Sequence, residues 1–348
     1  MTRRKLAGMR AGADHLEIEP VAIDDVRAEW DELAQAASNP FATLEWAETW
    51  LEHIGAQFTP RIFAARRADG KIVAILPLVV LRGRYVRKAR FLGFGPANEL
   101  GPICSPADRD AAVAALGRVL EDTRGEWDVF LGENLSASGW AEALGATLVS
   151  RDGNPVIRGA WQTWDDYLAS RSQRFRGELR SKERKLFQRG LAYRTVARRD
   201  ELDPALDQLF ELHRALWNDQ ASPWFAGQEA FHRAFAQAAF DRGWLRLHLL
   251  QLEGRTVAVF QGFRFGQTAW SYQLGRETES RTASLGVVIF AHAIREALAE
   301  GVAEFNFGPG AEPYKLRFAT ADTGVETVAI GRGLRGRAAI IAASRRGA

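Results

Sequence analysis

FNFGPGAEPYKLRF, residues 305–318, runs from a short apolar stretch into Gly-Pro-Gly, then Glu, then Tyr-Lys at the head of a helix. A strand halted at a Gly-rich turn is where open α/β folds keep their chemistry. Here AEFNFG (303–308) reads as the strand and 312–319 as a short helix. The stretch therefore sets a phenol, an ammonium and a carboxylate just past a strand end.

Working outward, two other stretches look alike: ADGKIVAILPLVVL at 68–81 and LEGRTVAVFQGFRF at 252–265. Each has a Gly-basic turn followed by an apolar run, and each is preceded by a strand-like run, RIFAARR (61–67) and LRLHLLQL (245–252). Two apolar runs around such a turn predict a β-hairpin. After hairpin one come ARFLGF (89–94), a helix over 108–122, the strand WDVFLGE (127–133) and a helix-like segment ending WAEALGATLV (140–149). After hairpin two come TAWSYQLG (268–275), a helix over 286–300, the strand at 303–308 and the helix at 312–319. The same order occurs twice, so the chain reads as two copies of one α/β unit. Helix 286–300 carries apolar residues at 287, 290, 291, 294, 297 and 298, a stripe that packs one face on a sheet. His292 lies off that stripe and is read as a solvated helix-face residue.

The bulk composition excludes several classes. The 348 residues suffice for two domains, and 47% apolar content allows a real core. A lone cysteine, Cys104, forbids an intramolecular disulfide, suits a reducing cytosol and is read as a small buried hydrophobe. The basic start, MTRRKLAGMR, is followed by no apolar segment, so no secretion signal is read. No apolar run approaches the ~18–20 residues that span a bilayer, and a cytoplasmic setting is expected. Histidines at 15, 53, 213, 232, 248 and 292 show no HxxxH or carboxylate-bracketed spacing, so no metal site is expected.

SRTASLGVV (280–288) precedes helix 286–300. A helix N-terminus offers unpaired N–H groups and a positive dipole end, and small residues let a phosphate come close. Small residues there also serve simply as caps. The order hairpin, strand, small-residue loop, helix, strand and Tyr resembles that of the Gcn5-related N-acyltransferases (GNAT), whose pyrophosphate loop reads Arg/Gln-x-x-Gly-x-Gly/Ala. Arg281-Thr-Ala-Ser284-Leu-Gly286 fits it with Ser284 in place of the first Gly. NPFATLEWAETW (39–50), RFLGFGPANELGP (90–102), the basic run at 171–189 and GVAEFNFGPGAEPYKLRF (301–318) are similar to one branch, the double-domain transferases noted beside cellulose-biosynthesis genes and related to Fem transferases. That likeness runs from about Ile18 to Arg332 and is most specific at Gly308-Pro-Gly310-Ala-Glu312-Pro-Tyr314-Lys315. The branch usually has Asp on the preceding strand where this chain has Asn306, so no carboxylate base stands there.

The resemblance implies an α/β fold of two tandem GNAT-like domains, with mixed, mostly antiparallel sheets flanked by helices. It implies acyl-CoA as co-substrate, without a metal, its thioester lying where the strand at 303–308 splays from its neighbour. Arg281, Ser284, Leu285, Gly286 and Val287 would then hold the pyrophosphate, with Lys315 neutralising phosphate or holding a carboxylate. Tyr314 would protonate the leaving thiolate, and Glu312 would serve as base, directly or through water, with Asn306 nearby. Structural readings stand beside these: Tyr314 covering a helix end, Glu312 offsetting the helix dipole, Lys315 solvated.

SRSQRFRGELRSKERKLFQRG (170–190) has eight basic and two acidic residues between Arg171 and Arg189, with Phe175, Leu179 and Leu186 forming a narrow apolar seam. A solvated linker, a helix whose Arg180 and Arg184 meet an anionic ligand or membrane surface, and an RNA-binding helix all compete here. The lack of interleaved Tyr or Trp argues against nucleic acid. The first copy lacks Gly-x-Gly in LGPICSPADRDAAV (100–113) and is read as scaffold and acceptor wall, with Asn98 and Glu99 as loop-borne binding candidates or plain turn residues. NDQASPWF (218–225) follows a helix at 204–217, so Trp217, Trp224 and Phe225 are either acceptor contacts or core plugs.

The expected organisation is a basic arm (1–14), an N-terminal domain (15–160), a basic helical connector (161–190), a C-terminal domain with the acyl-CoA site (191–333) and a basic tail (334–348), disordered or loosely drawn to a membrane surface. The expected activity is N-acyl transfer to an envelope-related amine, an amino sugar or a sphingoid or other lipid amine, at the membrane's inner face or free of it. Aminoacyl transfer from tRNA and a catalytically silent module in polysaccharide assembly remain the alternatives.

Overall fold

The computed structural model describes residues 16–136, 139–161, 163–217, 223–278 and 284–344. The chain divides into two compact units, one of residues 1–47, 55–151 and 326–348, the other of residues 48–54 and 152–325. In chain order the first unit begins with β1 (Glu17–Pro20), α1 (Arg27–Ala37), α2 (Leu44–His53), β2 (Phe58–Arg66), β3 (Ile72–Arg82), β4 (Arg87–Phe91) and β5 (Ile103–Cys104). It continues with α3 (Arg109–Asp122), β6 (Val129–Ser136), α4 (Trp140–Leu144) and β7 (Thr147–Asp152). The second unit holds β8 (Pro155–Arg158), α5 (Trp164–Ala169), α6 (Gln173–Phe187), β9 (Leu191–Thr195), α7 (Arg199–Trp217), α8 (Pro223–Ala226) and α9 (Glu229–Asp241). Then come β10 (Leu245–Leu252), β11 (Arg255–Phe265), β12 (Thr268–Arg276), α10 (Leu285–Ala299), β13 (Glu304–Asn306), α11 (Pro313–Phe318) and β14 (Ala321–Asp322). Finally β15 (Val325–Gly331) and α12 (Gly333–Ser344) return to the first unit.

Each unit has one sheet. The first runs β1-β2-β3-β4-β6-β15-β7 with β5 on β3, the second β14-β8-β13-β12-β11-β10-β9. The repeat read from the sequence is present in both. Hairpin β2–β3 and strand β4 pair antiparallel, α3 crosses over, and β6 joins β4 in parallel. Hairpin β10–β11 and β12 do the same, with α10 crossing over and β13 joining β12 in parallel. A parallel neighbour needs such a crossover, which is why the helix follows the third strand in both copies. Residues 147–152, expected as the end of a helix, form β7 instead.

Three boundaries differ from expectation. Residues 152–158 belong to the second unit through β8, and residues 326–331 belong to the first through β15. The basic helix α6 is no connector: Phe175, Leu179 and Leu186 are buried in the second unit's core with Leu285, Ile289 and Phe318. Its charge hid that role, since 15 residues with three inward side chains still bury a full seam. The tail forms α12, whose Ala339 and Ile340 lie on Val129, Leu131 and Ala329 within the first unit. Among the described residues no helix is long and apolar enough to cross a membrane.

Candidate active site

The site is built on a sheet that splits. β12 and β13 pair only at Thr268↔Glu304, Ala269↔Phe305 and Trp270↔Asn306. β13 ends there, while β12 runs on to Arg276, still bonded to β11 on its other edge. The cause lies in the β11–β12 register: Gln261 faces Gln273 and Gly262 faces Ser271, so Tyr272 is an extra residue in β12. A bulge bends its strand and increases its twist. It sits two residues beyond the last β12–β13 pair, where divergence begins. Gly262 permits the crowding, since a Cβ there would come within 2.5 Å of the Trp270 carbonyl oxygen. Beyond the bulge, residues 273–276 of β12 present alternate backbone N–H and C=O groups on the side toward the gap.

In the first unit the matching gap is filled. Beyond the three β4–β6 pairs, Leu100 N–H donates to Asn134 O (3.0 Å), and Asn134 Nδ2 donates to Ala97 O (3.2 Å). The start of α3 is likewise occupied by its own side chains: Ser105 Oγ accepts from Asp108 N–H (3.3 Å), and Arg67 pairs with Asp108 (2.5 Å). Asn98 and Glu99 lie in this first unit, where Asn39 Nδ2 donates to Glu99 O (3.2 Å). Cys104 has its thiol pushed up to about 11 by burial, which leaves it a poor nucleophile.

α10 starts beside the freed end of β12. A Cβ on Gly286 would lie 3.5 Å from Arg276 Nε and 3.8 Å from Leu274 Cδ2, so glycine keeps the helix start narrow there. Ser284 precedes the first turn and makes no side-chain cap, leaving the helix N–H groups uncapped by it. Leu285 is buried and Val287 half-buried, so their side chains serve the core. Arg281 lies outside the described residues. The sequence reading missed Arg276, a cation placed by the strand end itself; a basic residue closing a strand ahead of a small-residue loop was the available signal.

The Gly-Pro-Gly turn after β13 is held from within. Gly308 N–H donates to Asn306 Oδ1 (2.8 Å), and Asn306 is 2% exposed. Phe307 N–H donates to Pro155 O (3.0 Å) and Gly310 N–H to Gly153 O (2.8 Å), pulling the turn toward β8 and away from β12. Gly308 (φ 74°) and Gly310 (φ 104°) sit in the left-handed region that this path demands. Lys315 is buried, its Nζ donating to Pro309 O (2.7 Å) and Gly308 O (3.3 Å) and lying 2.9 Å from Glu312 Oε2. Its three donors thus have three acceptors in the turn. Asn306 and Lys315, expected at the site, thus both have bonding partners within the turn itself. Burial lowers the Lys315 ammonium below its usual range, with Glu312 acting in opposition.

Tyr314 sits on the same helix with its ring 5.1 Å from that of Phe290 on α10. It borders the core cluster that Leu274 and Val287 also border, which brings the helix start, the freed strand and the phenol to one cluster. Burial, then the neighbouring Glu312 carboxylate, pushes the phenol well above its usual range, so it stays protonated. Glu312 is half-exposed and anchored by Lys315.

The other expected contacts fare differently. Phe225 is 3% exposed and packs on His213 (4.2 Å) and His232 (4.5 Å). Trp224 is half-buried and its carbonyl accepts from His232 Nε2 (2.8 Å), while Trp217 is exposed at the end of α7. Residues 218–222 lie outside the described set. Arg180 and Arg184 are exposed on α6. Nearer the start of α6, Arg171, Arg174, Phe175, Glu178, Leu316 and Arg317 line an open groove of about 570 Å³. Its arginines are engaged: Arg171 on Ala319 O (2.7 Å), Arg174 on Glu178 (3.0 Å), Arg317 on Glu178.

His292, expected in solvent, is mostly buried and stacks on Tyr193 at 4.1 Å. It meets His248 of β10 and Glu296 of α10, a convergence the sequence reading missed. The His292-x-x-x-Glu296 spacing was its one local sign. Burial lowers His292 to about 4 and His248 to about 3, keeping both rings neutral.

A family model described as an acetyltransferase (GNAT) domain matches residues 173–316, from the start of α6 into α11. The crystal structure of FemX aligns with a TM-score of 0.64 at 11% identity, over 91% of this chain and 97% of that one. The C-terminal domain of a putative lysylphosphatidylglycerol synthetase from Agrobacterium fabrum aligns at 0.61 and 12% identity, over 92% and 95%. A tandem GNAT protein from the clavulanic acid biosynthesis pathway aligns at 0.52 and 14% identity, over 92% and 99%. At such identities these likenesses speak for the fold. No curated protein matches the sequence.

Proposed function

We propose that this chain, a double-domain GNAT-like protein, is an N-acyltransferase that moves an acyl group from acyl-CoA to an amine of an envelope-related acceptor, an amino sugar or a sphingoid or other lipid amine. The observation that carries the reading is the gap between β12 and β13, bordered by the start of α10. An acyl-pantetheine arm is an extended chain of amides, and β12 beyond its bulge, at residues 273–276, offers it strand-like hydrogen bonds. The pyrophosphate would meet the first N–H groups of α10 with Arg276 beside them.

In this reading the amine attacks the thioester carbonyl, the C–S bond breaks, and Tyr314 gives its proton to the departing thiolate. A phenol held protonated by burial suits a donor and disqualifies it as a base. Glu312, fixed by Lys315, takes through water the proton that the attacking nitrogen loses as it becomes the amide. An amphiphilic acceptor fits the exposed Arg180 and Arg184, which favour an anionic lipid surface near α6.

The likeness to FemX supports a second reading, an aminoacyl-tRNA donor at the same gap. Calorimetry separates the two. Saturable binding of CoA and of acyl-CoA, followed by acyl-sized mass gains on amine acceptors, supports the first. Absence of CoA binding defeats it, and activity then abolished by RNase supports the second.

A further inference from the structure

Away from the gap, on the edge formed by β9 and β10, a second set of chemical groups converges. His248 comes from β10, His292 and Glu296 from successive turns of α10, and one ligand atom from each lies within 4.8 Å of the others. His248 Nδ1 is 3.4 Å from Glu296 Oε2, and His292 Nε2 is 3.1 Å from Glu296 Oε1. The Thr195 hydroxyl, on β9, is 3.0 Å from His248 Nδ1 and donates to Glu296 Oε2 (3.4 Å).

Two details distinguish this cluster from an ordinary buried hydrogen-bond set. His292 Nε2 is buried without a hydrogen-bond partner although Glu296 Oε1 lies 3.1 Å away. A nitrogen in that position costs free energy unless its lone pair has an acceptor of electrons. Both rings are also held in place from behind. His292 stacks on Tyr193 with planes 13° apart, and His248 is stacked on Phe260 and only 2% exposed. Fixed imidazoles from two elements, aimed with a carboxylate at one point, are the donor set that a borderline-soft divalent ion takes.

We infer that His248, His292 and Glu296 form a site for a single divalent transition-metal ion of the zinc class, with the Thr195 hydroxyl orienting the carboxylate and a water completing four ligands. Glu296 is 37% exposed at its side chain, which gives the ion a path from solvent. The site ties β10 to α10, the helix whose N-terminus borders the β12–β13 gap, and a bound ion stabilises that helix against the sheet.

The test uses tag-free, full-length protein stripped with a chelator and titrated with Zn²⁺ and, separately, Co²⁺. Uptake of about one equivalent per chain is expected, with a rise in Tm and visible ligand-field bands from four-coordinate Co²⁺. His292→Ala and Glu296→Gln stand on the more accessible side of the cluster, and each should weaken Zn²⁺ binding by at least about tenfold, since even outer-shell changes cost about 10–100-fold. A Thr195→Val chain should lose a smaller factor. No saturable uptake by the wild-type protein overturns the inference, as does uptake unchanged in both ligand variants. Should a variant melt without metal, the Co²⁺ spectrum of the wild-type protein decides alone: bands of six-coordinate type, or none, count against the site.

Discussion

Replacing Lys315 by Met tests whether its ammonium builds the Gly-Pro-Gly turn or reaches a phosphate. The thioether chain fills nearly the same volume, so packing is kept and only the charge and its hydrogen bonds are lost. Those are bonds to Pro309 O (2.7 Å) and Gly308 O (3.3 Å) and the ion pair with Glu312 (2.9 Å). Hydrogen bonds from a charged donor contribute about 1.5–3 kcal/mol each, so the two carbonyls alone represent about 3–6 kcal/mol. Removing a desolvated ammonium returns part of this, and the half-exposed Glu312 regains water, leaving a net loss of about 2–4 kcal/mol. Urea unfolding at neutral pH should show a lowered midpoint with an unchanged slope. CoA affinity, measured by calorimetry below the melting range, should fall by less than about threefold, under the tenfold that 1.4 kcal/mol represents. A chain of wild-type stability whose CoA affinity drops tenfold or more would refute this account and restore the phosphate role.

Four further outcomes are expected. Tyr314→Phe keeps its ring against Phe290, so stability should hold while kcat with an acyl-CoA donor falls by about 10–100-fold, read in a thiol-release assay. Gly286→Ala should be tolerated, since its Cβ meets only Arg276 and Leu274 at 3.5 Å or more, whereas Gly286→Leu should raise the Kd for CoA by about tenfold or more. Gly275→Ala should cost about 1–3 kcal/mol, because its Cβ would stand 2.7 Å from Leu209 O and 2.8 Å from His213 N, backbone that cannot move aside cheaply. Finally, His213 and His232 each lie near 4 in the folded chain against a usual 6.5, lowered chiefly by burial. The unfolded chain therefore binds more protons between these values, and stability, full above pH 6.5, should fall as pH drops toward 4. A His232→Gln chain should lose part of that slope in metal-free buffer; identical slopes would contradict the assignment.

The order of elements was legible because it is written locally. Gly-basic turns between apolar runs mark β2–β3 and β10–β11, and the stripe on 286–300 marks α10 within one residue. Even α6 declared its inward seam of Phe175, Leu179 and Leu186, though its charge suggested a connector where the fold has a packed helix. Roles inside the site were harder, for they depend on partners far along the chain. Glu312, Tyr314 and Lys315 stand out in the sequence as a carboxylate, a phenol and an ammonium just past a strand end. Which way they turn is decided by Gly153 and Pro155, over 150 residues earlier, whose carbonyls draw the turn toward β8. His248 and His292 are 44 apart in number and meet only because β10 lies under α10. Phe225 left two readings open, acceptor contact or core plug, because its partners His213 and His232 are distant in sequence.

The duplication sharpens the case for a single working gap. Both units end a parallel pair after three residues, at Arg90↔Leu131 and at Trp270↔Asn306. In the first, β4 stops one residue later, and the backbone at 97–100 bonds to Asn134 where a ligand would have to lie. In the second, β12 continues to Arg276, its bulge at Tyr272 turns it aside, and the turn after β13 is held off by β8. The same unit thus yields a closed seam or an open one according to where its third strand ends and what anchors the turn after its parallel partner. Lengthening β4 would not be enough to open the first seam, because Leu100 and Asn134 would still bridge it. The side chains of Asn306 and Lys315 bond only within the turn after β13, so they set its local shape, while the backbone bonds to Gly153 and Pro155 set the side of the gap on which it lies.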